Sequence, residues 1–559
     1  MIDKIYIRNF RSIKELTLEP KALCALLGAN STGKTNILKA LDILLGETYP
    51  TERAFSKEDF YGGDPNSTIV IEIWFQEPLD RVKLKSCASK STEPLSPAGF
   101  RLTHTKNESV SFGATSFLVF DDNGNEYWGN NDVRQKFCFI YIPSDRNLEK
   151  QMTVSHWTLL GKILRKIDEN FRKKQPGESL SQLEIQFREA MEEPRRILES
   201  EFDPKLDYKK FKDTFTEVCR DYAKGLANSF SLDLEIYDPF FYYKTIQVIG
   251  REQMGTFNVE ELGSGVQNLV LLSLFRTYAK IMKEKVIFAI EEPEIYLYPQ
   301  AQRQLFKCFL DLSYPEEGPG TQIFYTTHNP NFVDPSRADE VEMLRKGSDG
   351  TYKLDKDAAV TAASLKESRF RIYTHFNTER NELFFAHKTL LVEGESDKIL
   401  VSGLCEKWGI DIDKEGISII SCGGKTGVLY FIGVCRLLGI EDFFAVWDQD
   451  NDEDIDDRFS NFNFAISSGR GWEVAGNLED FLKGKFPDSL FRKKHKVEDA
   501  YTWTQVVSLE EIPVEFDDVK NFLNPANPVV TVQSEPSPLT PATDFPFYES
   551  EVRVEDLPF

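Results

Sequence analysis

Residues 28–35 combine glycine, lysine and threonine at the spacing that binds phosphate. The stretch reads GANSTGKT, a complete G-x-x-x-x-G-K-[ST] pattern between an apolar run and a helical one. Gly28 and Gly33 let the backbone approach an anion closely, and successive backbone N–H groups at a helix N-terminus bind that anion. Lys34 supplies a positive charge for the outer phosphates, and Thr35 supplies a hydroxyl for Mg²⁺. The pattern predicts binding of a nucleoside triphosphate.

Acidic side chains end a later apolar run. Residues 286–294 read VIFAIEEPE, in which Glu291 is placed to bind Mg²⁺ and Glu292 to orient or deprotonate an attacking water. A further run, IFYTTHNP, leads to His328, a position that suits a group sensing the γ-phosphate. Together these segments predict the hydrolytic half of an ATPase site.

A serine between two glycines precedes another apolar helix. Residues 261–270 read ELGSGVQNLV, with Ser264 at the predicted helix N-terminus. A serine in this position commonly caps its own helix. Beside a phosphate-binding loop it has a second interpretation, in which Ser264 and the helix dipole face the γ-phosphate bound by another subunit. The sequence leaves both interpretations open.

Four carboxylates follow the strands of a second α/β unit. In TLLVEGESD, residues 389–397, Glu393 ends an apolar strand and Asp397 lies one helical turn later. In FFAVWDQDND another strand leads to Asp448 and Asp450. Strand ends of an open parallel sheet converge on one crevice, where bare carboxylates repel one another unless a divalent cation binds them. Oxygen ligands favour Mg²⁺ or Mn²⁺, so we predict a divalent metal site.

The elements that must position these groups alternate between strands and helices, which predicts an α/β fold. Short apolar runs bounded by turn residues predict the strands, and the phosphate-binding loop opens a helix over 35–45. Residues 150–230 differ, because apolar residues recur there every three or four positions among charged ones, as in amphipathic helices. We predict strands at 2–7, 23–27, 69–75, 137–142, 232–250, 286–290 and 322–326.

These patterns divide the 559 residues into five segments. A folded domain typically has about 100–200 residues, so a chain of this length is expected to form several domains. The helical segment is either a dimerisation element or a solvated arm. The last segment has seven prolines and one base against six acids, which favours disorder; its RVEDLPF end leaves docking on a partner as an alternative. The segments are the first α/β part (1–150), the helical insertion (151–230), the second part of the same unit (231–370), the second α/β unit (371–520) and the acidic tail (521–559).

Charge and composition exclude some classes of protein. Lys and Arg total 67 against 90 Asp and Glu, a net charge of −23, which excludes nucleic-acid binding by bulk charge but allows a local basic groove at 171–174 or 492–496. The eight cysteines form no CxxC pair, so neither a zinc ribbon nor a disulfide framework is expected. A charged N-terminal strand and the lack of an apolar run of about 18 residues predict a cytoplasmic protein with no membrane partner.

The order of these motifs resembles that of ABC-type P-loop ATPases of the SMC and RecF group, whose opening strand also has an N-F-R motif, here with Arg11. Three departures are LGSGVQ in place of LSGGQ, Tyr298 where many relatives have histidine, and glutamate in place of aspartate at position 291. The resemblance implies ATP as cofactor and composite sites between two heads, hence a homodimer or a dimer of dimers. It implies nucleotide contacts by Arg11, Gly28, Asn30, Gly33, Lys34, Thr35, Ser264, Glu291 and His328.

The spacing from VEG to D-x-D resembles the Toprim domain of topoisomerases, primases and related nucleases. A Toprim domain behind an ABC-type ATPase is the arrangement of the OLD (overcoming lysogenisation defect) family, which includes the nuclease subunit of Gabija-type defence systems and some retron effectors. The family also has a later acid, here Glu479, and a downstream lysine, for which Lys496 fits and Lys493 and Lys494 are alternatives. The implied catalytic residues are Glu292, Glu393, Asp397, Asp448, Asp450, Glu479 and Lys496, and the implied metal ligands are Thr35, Glu291, Glu393, Asp397, Asp448, Asp450 and Glu479.

The resemblance implies an ATP-binding DNA endonuclease that uses Mg²⁺ or Mn²⁺ in two-metal phosphodiester hydrolysis, is gated by nucleotide and acts in bacterial antiphage defence. The lysine would neutralise charge in the transition state. Two alternatives stay open. One is a RecF- or SMC-like DNA-repair ATPase whose Toprim module only binds DNA. The other is a nucleotide-sensing subunit of a larger defence complex that needs an operon-encoded protein or RNA partner.

Overall fold

The computed structural model of the chain describes residues 1–46, 48–89, 91–105, 114–134, 138–144, 181–198, 249–252, 255–258, 286–295, 297–316, 320–357, 380–449, 459–476 and 495–524, together with residues 161, 164, 168, 171, 172, 214, 270 and 273. Its strands are β1 (Ile2–Phe10), β2 (Ile13–Leu18), β3 (Leu23–Leu27), β4 (Ile69–Phe75), β5 (Val82–Ser86), β6 (Thr92–Leu95), β7 (Gly99–Thr105), β8 (Ala114–Phe120), β9 (Glu126–Trp128), β10 (Cys138–Ile142), β11 (Ile249–Glu252), β12 (Gly255–Asn258), β13 (Val286–Glu291), β14 (Gln322–Thr326), β15 (Val341–Gly347), β16 (Gly350–Lys353), β17 (Lys388–Val392), β18 (Ile417–Ser421), β19 (Phe443–Asp448) and β20 (Gly471–Val474). Its α-helices are α1 (Lys34–Leu45), α2 (Asn131–Arg134), α3 (Gln182–Leu198), α4 (Pro299–Ser313), α5 (Glu395–Trp408), α6 (Ile412–Glu415), α7 (Lys425–Leu438), α8 (Phe459–Ser467), α9 (Lys496–Val506) and α10 (Asp517–Leu523). None of the described helices is long and apolar enough to cross a bilayer.

The longest sheet has the phosphate-binding loop at its parallel end. Within the described ranges its 14 strands follow the order β10-β13-β14-β3-β15-β16-β2-β1-β4-β7-β8-β9-β5-β6. The first five are parallel to one another and the remaining pairs are antiparallel. β3, β13 and β14 are buried along their whole length, as is usual for parallel strands covered on both faces. The segments that follow these three neighbouring strands therefore meet at one edge of the sheet.

A second sheet of four parallel strands, in the order β18-β17-β19-β20, follows in the chain. Helices α5 and α6 connect β17 to β18, α7 connects β18 to β19, and α8 connects β19 to β20. Such crossovers bring the carboxyl ends of all the strands to the same edge. Glu393 directly follows β17 and Asp448 ends β19, so these two carboxylates belong to adjacent strands at that edge.

The two sheets share one hydrophobic core. A single buried cluster contains Leu27 and Phe288 of the first sheet together with Phe431 and Trp447 of the second unit. Helix α7 makes much of this contact, since it packs against β15 of the first unit and against β17 and β19 of its own. The first and second α/β units are therefore continuous rather than separated by a polar linker surface.

Polar contacts fasten the end of α7 to the first unit. The Arg436 guanidinium lies 2.8 Å from a carboxylate oxygen of Asp357, and the backbone N–H of Asp357 donates to the Arg436 carbonyl at 3.1 Å. At Gly439, which ends the helix with a φ of +70°, an added Cβ would lie 2.2 Å from the Asp355 carbonyl oxygen. Glycine is thus required there by both conformation and space.

The predicted α/β class is confirmed, and the apolar runs located most of the parallel strands. β3, β4 and β14 have the predicted bounds, β1 and β13 extend beyond their predicted ranges, and β10 begins one residue after its predicted start, which lies outside the described residues. Strands β5 to β9 were not predicted; β5, β6 and β9 are short and only partly apolar.

Two predicted segments fall largely beyond what the structure describes. In the helical insertion, 151–230, α3 is the described helix, and its dimerisation role stays a prediction. The predicted strand at 232–250 lies outside the described residues except where β11 begins. Helix α10 continues to Leu523, inside the range assigned to the tail, and residues 525–559 lie outside the described ranges.

Candidate functional site

The phosphate-binding loop depends on two glycines whose backbone φ angles are positive. Gly28 has a φ of +145° and Gly33, which precedes α1, has a φ of +94°. An added Cβ at Gly28 would lie 2.3 Å from the Leu344 carbonyl oxygen, and one at Gly33 would lie 2.3 Å from Oγ1 of Thr351. Neither position accepts a side chain without displacement of its neighbours, so the loop is tightly fixed between β3, β15 and β16.

Lys34 lies inside the loop. Its Nζ donates to the carbonyl oxygens of Gly28 and Ala29, both at 2.8 Å. Burial lowers the pKa of Lys34 to about 8, although the negative charges of Glu292 and Glu294 act in the opposite direction. The electrostatic influence of these two acids shows that the predicted phosphate lysine and the segment after β13 belong to one site.

Ser12, between β1 and β2, connects the first turn of α1 to β16. The Ser12 and Thr351 hydroxyls lie 2.7 Å apart, and the Asn36 side chain donates to the Ser12 Oγ at 2.8 Å. Thr35 is half-buried one residue into α1, and Asn30 is exposed at the loop tip. Both are accessible to a ligand in the loop. The sequence gives no local signal for the role of Ser12, because its partners are distant in the chain.

Arg11 adopts a φ of +52° and forms an ion pair. Its Nε lies 2.7 Å from Oδ1 of Asp59, and its backbone N–H donates to the Asp59 carbonyl oxygen at 2.8 Å. Burial raises the pKa of Asp59, but hydrogen bonds from Ser56 and Arg11 outweigh burial and hold that pKa below its ordinary value. The ion pair with Asp59 therefore fixes Arg11 near the start of the ATPase unit. The sequence motifs did not identify Asp59.

Glu291 ends β13 and is only 4% exposed. The Tyr141 hydroxyl donates to its Oε1 at 2.7 Å, and the Ser144 backbone N–H donates to its Oε2 at 3.0 Å. Both donors come from the end of β10, the strand parallel to β13. Burial and the neighbouring Glu291 raise the pKa of Tyr141, so the phenol keeps its proton. Sequence analysis did not identify Tyr141 as a functional residue.

Glu292 takes a left-handed conformation that non-glycine residues rarely adopt. Its φ is +42°, and its backbone N–H donates to the Thr326 carbonyl oxygen at 2.9 Å. With His328 and Asn329 it lines a cleft of about 490 Å³, whose other lining residues are Glu294, Pro299, Gln302, Arg303 and Asn331. Backbone strain of this kind is typical of functional positions.

Glu294 connects the segment after β13 to the loop of His328. Its Oε1 accepts hydrogen bonds from the Thr327 hydroxyl at 2.7 Å and from the His328 backbone N–H at 2.9 Å. Its Oε2 is buried and has no hydrogen-bond partner among the residues that the structure describes, and burial raises the pKa of this carboxyl. Burial also lowers the pKa of His328, with a smaller contribution from the Lys34 charge, so the imidazole is neutral at neutral pH.

At the second sheet, backbone hydrogen bonds fix the position of Glu393. Its carbonyl oxygen accepts the N–H groups of Gly423 and Gly424 at 2.9 and 2.8 Å, which brings the start of α7 against the end of β17. Asp397 has a local partner, since its Oδ2 accepts the Gly394 N–H at 2.8 Å and so caps α5. An aspartate at this third helical position is a common capping arrangement.

The carboxylates are only partly assembled by the described residues. Glu393 and Asp448 lie at the ends of neighbouring parallel strands, and Asp448 is half-buried. Among the residues that the structure describes, no group of three or more His, Cys, Asp or Glu side chains is arranged to hold a metal ion. Asp450 and Glu479, two of the predicted ligands, lie outside the described residues, as does Ser264 of the ATPase unit.

Lys496, the favoured lysine, begins α9 and faces α5. It lines a groove of about 820 Å³ together with Ile399, Ser402 and Glu406. The described carboxylates Glu393, Asp397 and Asp448 do not line this groove. Lys493 and Lys494 lie outside the described ranges, as do the lysines of the run at 171–174, whose Arg172 forms an ion pair of 2.7 Å with Asp168.

Two family models match the chain. The model described as AAA ATPase domain matches residues 1–111 and 100–333, and the model described as overcoming lysogenization defect protein-like TOPRIM domain matches residues 384–450. The first covers the described segments of the nucleotide site except β15 and β16, which follow residue 333. An AAA ATPase domain and a TOPRIM domain imply the use of a nucleotide and a divalent metal. The oxygen donors at the ends of β13, β17 and β19 fit such an ion in type.

Three relatives align with most of the chain. An OLD nuclease from Thermus scotoductus is 28% identical over 455 residues, which are 80% of this chain and 82% of the relative. The Old nuclease of Escherichia phage P2 is 22% identical, over 78% of this chain and 75% of its own length. Endonuclease GajA of Bacillus cereus is 23% identical, over 78% of this chain and 73% of its own length.

Proposed function

Because the chain belongs to the AAA ATPase domain family and joins that domain to a TOPRIM domain, as OLD-type nucleases do, we propose that it is a nucleotide-gated, divalent-metal-dependent DNA endonuclease. The observation that carries the proposal is the pair of acids Glu393 and Asp448 on adjacent parallel strands, in one core with a complete phosphate-binding loop. A module that only binds DNA has no need of acids at both positions.

In the proposed nuclease site, Glu393 and Asp448 hold the divalent ions, with Asp450 and Glu479 as further ligands. Two such ions would activate a water molecule and stabilise the leaving oxygen. Asp397 contributes by fixing the turn after Glu393, since it caps the helix that begins there. One lysine of 493, 494 and 496 neutralises charge on the phosphate, and its identity awaits separate substitution of the three.

In the proposed ATPase site, Lys34 contacts the outer phosphates of ATP and Thr35 and Glu291 bind its Mg²⁺. Glu292 orients the attacking water from the cleft, and a neutral His328 donates a hydrogen bond to the γ-phosphate. Arg11 and Asn30 complete the nucleotide contacts. Ser264 acts on a nucleotide bound by a second copy of the chain, so ATP favours a homodimer or a dimer of dimers.

Nucleotide gating is supported by contacts that run between the two units. The ring centroids of His328 and Phe385 lie 6.1 Å apart, and Phe385 belongs to the segment that leads into β17. Helix α7 packs against residues 335–340 of the ATPase unit, and Gly423 and Gly424 at its start hold Glu393. Movement of the His328 loop on nucleotide binding therefore changes the surroundings of the proposed nuclease carboxylates.

Plasmid cleavage by the purified chain tests the proposal. With Mg²⁺ or Mn²⁺, the wild type should nick or linearise plasmid DNA, and Glu393→Ala and Asp448→Asn should abolish cleavage. Asp413→Asn, an exposed carboxylate at the other end of the same domain, is the matched control and should retain full activity. Lys34→Ala should cleave but lose the response to ATP. If wild type and Glu393→Ala cleave equally, the TOPRIM site is not the nuclease.

Antiphage defence is the proposed biological role. Cells that express the wild type should reduce phage plaque numbers relative to cells that express Glu393→Ala. Equal plaque numbers, with nuclease activity intact in vitro, would remove the defence role and retain the enzyme. A chain that binds DNA but never cleaves would instead favour the repair-type ATPase.

A further inference from the structure

The acid that ends β13 is a glutamate, which places unusual demands on its surroundings. A glutamate has one more methylene than an aspartate and one more rotatable bond, so its carboxylate has more positions available and loses more rotamer entropy when it is fixed. A ligand to Mg²⁺ must nevertheless hold its oxygens in a defined direction, because Mg²⁺ accepts little departure from octahedral geometry. Some part of the protein must therefore restrict Glu291.

The end of β10 supplies that restriction. The Tyr141 hydroxyl lies 2.7 Å from Oε1 of Glu291, and the Ser144 N–H lies 3.0 Å from Oε2, so both carboxylate oxygens accept hydrogen bonds from the same neighbouring segment. Strand β10 pairs in parallel with β13, with Tyr141 opposite Ala289. This register places the Tyr141 hydroxyl within hydrogen-bonding distance of the Glu291 carboxylate. Both donors are neutral, so they orient the carboxylate without cancelling its negative charge.

We propose that Tyr141 is a positioning residue for the ATPase site, which fixes the carboxylate of Glu291 in the orientation that binds the divalent metal of the nucleotide. The proposal rests on the proposed function, since it assumes a metal–nucleotide complex at the phosphate-binding loop. Tyr141 is not a catalytic residue in this proposal, because it acts through Glu291 and has no contact with the nucleotide.

A second tyrosine–glutamate pair in the same unit shows what a purely structural pair looks like. The Tyr314 hydroxyl donates to Oε1 of Glu340 at 2.6 Å, and the same carboxylate also accepts a hydrogen bond from the Arg337 guanidinium. The cation offsets the charge of Glu340, which leaves that carboxylate unsuited to a metal. The Tyr141 pair, in contrast, lies at the end of β13 and involves the acid predicted to bind Mg²⁺.

Removal of one hydroxyl tests the proposal. Loss of an outer hydrogen bond to a metal ligand typically costs about 10–100-fold in metal affinity. For Tyr141→Phe, the Mg²⁺ concentration that half-saturates binding of a fluorescent ATP analogue should rise about tenfold or more, while binding of the analogue without metal stays unchanged. Tyr314→Phe removes the same chemical group from the other pair and should leave the Mg²⁺ titration as in the wild type.

A double-mutant cycle separates positioning from general damage to the fold. The shorter side chain of Glu291→Asp does not reach the Tyr141 hydroxyl, so Tyr141→Phe should have no further effect on Mg²⁺ dependence in that background. A thermal unfolding midpoint measured for every variant identifies any loss of folded protein. Additive effects in the cycle, or an unchanged Mg²⁺ titration for Tyr141→Phe, would overturn the inference alone. Nucleotide binding by the wild type that is independent of Mg²⁺ would overturn the proposed ATPase site and this inference together.

Discussion

At the scale of single residues, Glu294 fixes the geometry of the ATPase site at a cost in the stability of the fold. One of its oxygens accepts hydrogen bonds from the Thr327 hydroxyl and the His328 N–H, while the other is buried and has no hydrogen-bond partner in the described part of the chain. Leaving a buried acceptor unsatisfied costs about 1–3 kcal/mol, and more when the group is charged. The cost is consistent with a position selected for holding the His328 loop rather than for stability.

Glu294→Gln should raise the free energy of unfolding by about 1 kcal/mol at pH 8. Because the folded-state pKa of Glu294 is raised above the ordinary value of 4.5, the folded protein binds its proton more tightly than the unfolded chain. Stability of the wild type therefore falls as pH rises above 4.5, and the advantage of the glutamine variant should grow over the same interval. Thermal unfolding at several pH values measures this difference.

Two further variants are compared in that experiment. Glu294→Ala removes the acceptor for both Thr327 and His328, so it should be less stable than the wild type at every pH. Glu316→Gln changes an exposed glutamate of the same unit and should follow the wild type throughout. A glutamine variant whose stability difference is the same at pH 4 and pH 8 would contradict the assignment of Glu294 as a buried carboxyl with a raised pKa.

At the scale of elements, the helix that begins at Lys34 is fixed at its opposite end by a buried arginine. Arg134 is 1% exposed, and its guanidinium donates to the carbonyl oxygens of Leu44 in the last turn of α1 and of Gly46 and Thr48 just after it. A cation at a helix C-terminus also interacts favourably with the helix dipole. The rings of Tyr49 and Phe117 lie against the guanidinium, with centroids 5.6 and 5.9 Å away.

Arg134→Ala should lower the free energy of unfolding by roughly 3 kcal/mol, because the buried carbonyl groups of Leu44 and Gly46 and the partly buried one of Thr48 lose their donor. Arg134→Lys should recover only part of this loss, since an ammonium cannot reproduce the planar guanidinium contacts. Urea unfolding measures both variants. Lys14→Ala, which breaks an exposed ion pair of 3.4 Å with Asp349, is the control and should change stability by less than about 0.5 kcal/mol. Equal stability of the alanine variant and this control would contradict the role of Arg134.

The sequence predicted the bounds of strands better than it predicted which distant side chains contact one another. The bounds of β3 were predictable because its apolar run ends at Gly28, which opens a phosphate-binding loop. Tyr141 and Arg134 carry no comparable local signal, since their partners Glu291 and Leu44 are 150 and 90 residues away. Asp397 illustrates the opposite case. Its spacing from Glu393 indicated a metal ligand, and its hydrogen bond to Gly394 adds a capping role that the same spacing also allows.

At the scale of the whole molecule, the continuous core gives the proposed communication between the two units a physical route. Side chains of both sheets pack in one cluster, and α7 is fixed at its start to Glu393 and at its end to Asp357. A packed interior has few empty spaces to absorb a displacement. A change in the His328 loop must therefore be accommodated by movement of Phe385, of α7 or of both.

Phe385→Ala should uncouple the proposed nuclease from its nucleotide. The substitution removes the ring next to His328 and leaves Lys34, Glu291 and Glu393 unchanged, so ATP binding and cleavage without nucleotide should persist. The difference between cleavage rates with and without ATP should shrink toward none. The measurement is plasmid nicking at saturating ATP and without ATP, for wild type and variant.

Phe306→Ala provides the matched control for this last prediction. Phe306 is also a partly buried phenylalanine at the edge of the same core, where its ring lies 6.0 Å from that of Phe332. Phe306→Ala should lower the stability by a similar amount and leave the ATP response intact. The ring that it removes belongs to α4 and not to the segment that leads into β17. An ATP response that is equally weak in both variants would show that loosening the core alone disturbs gating. A full response in Phe385→Ala would place the communication in α7, where Arg436→Ala tests it next.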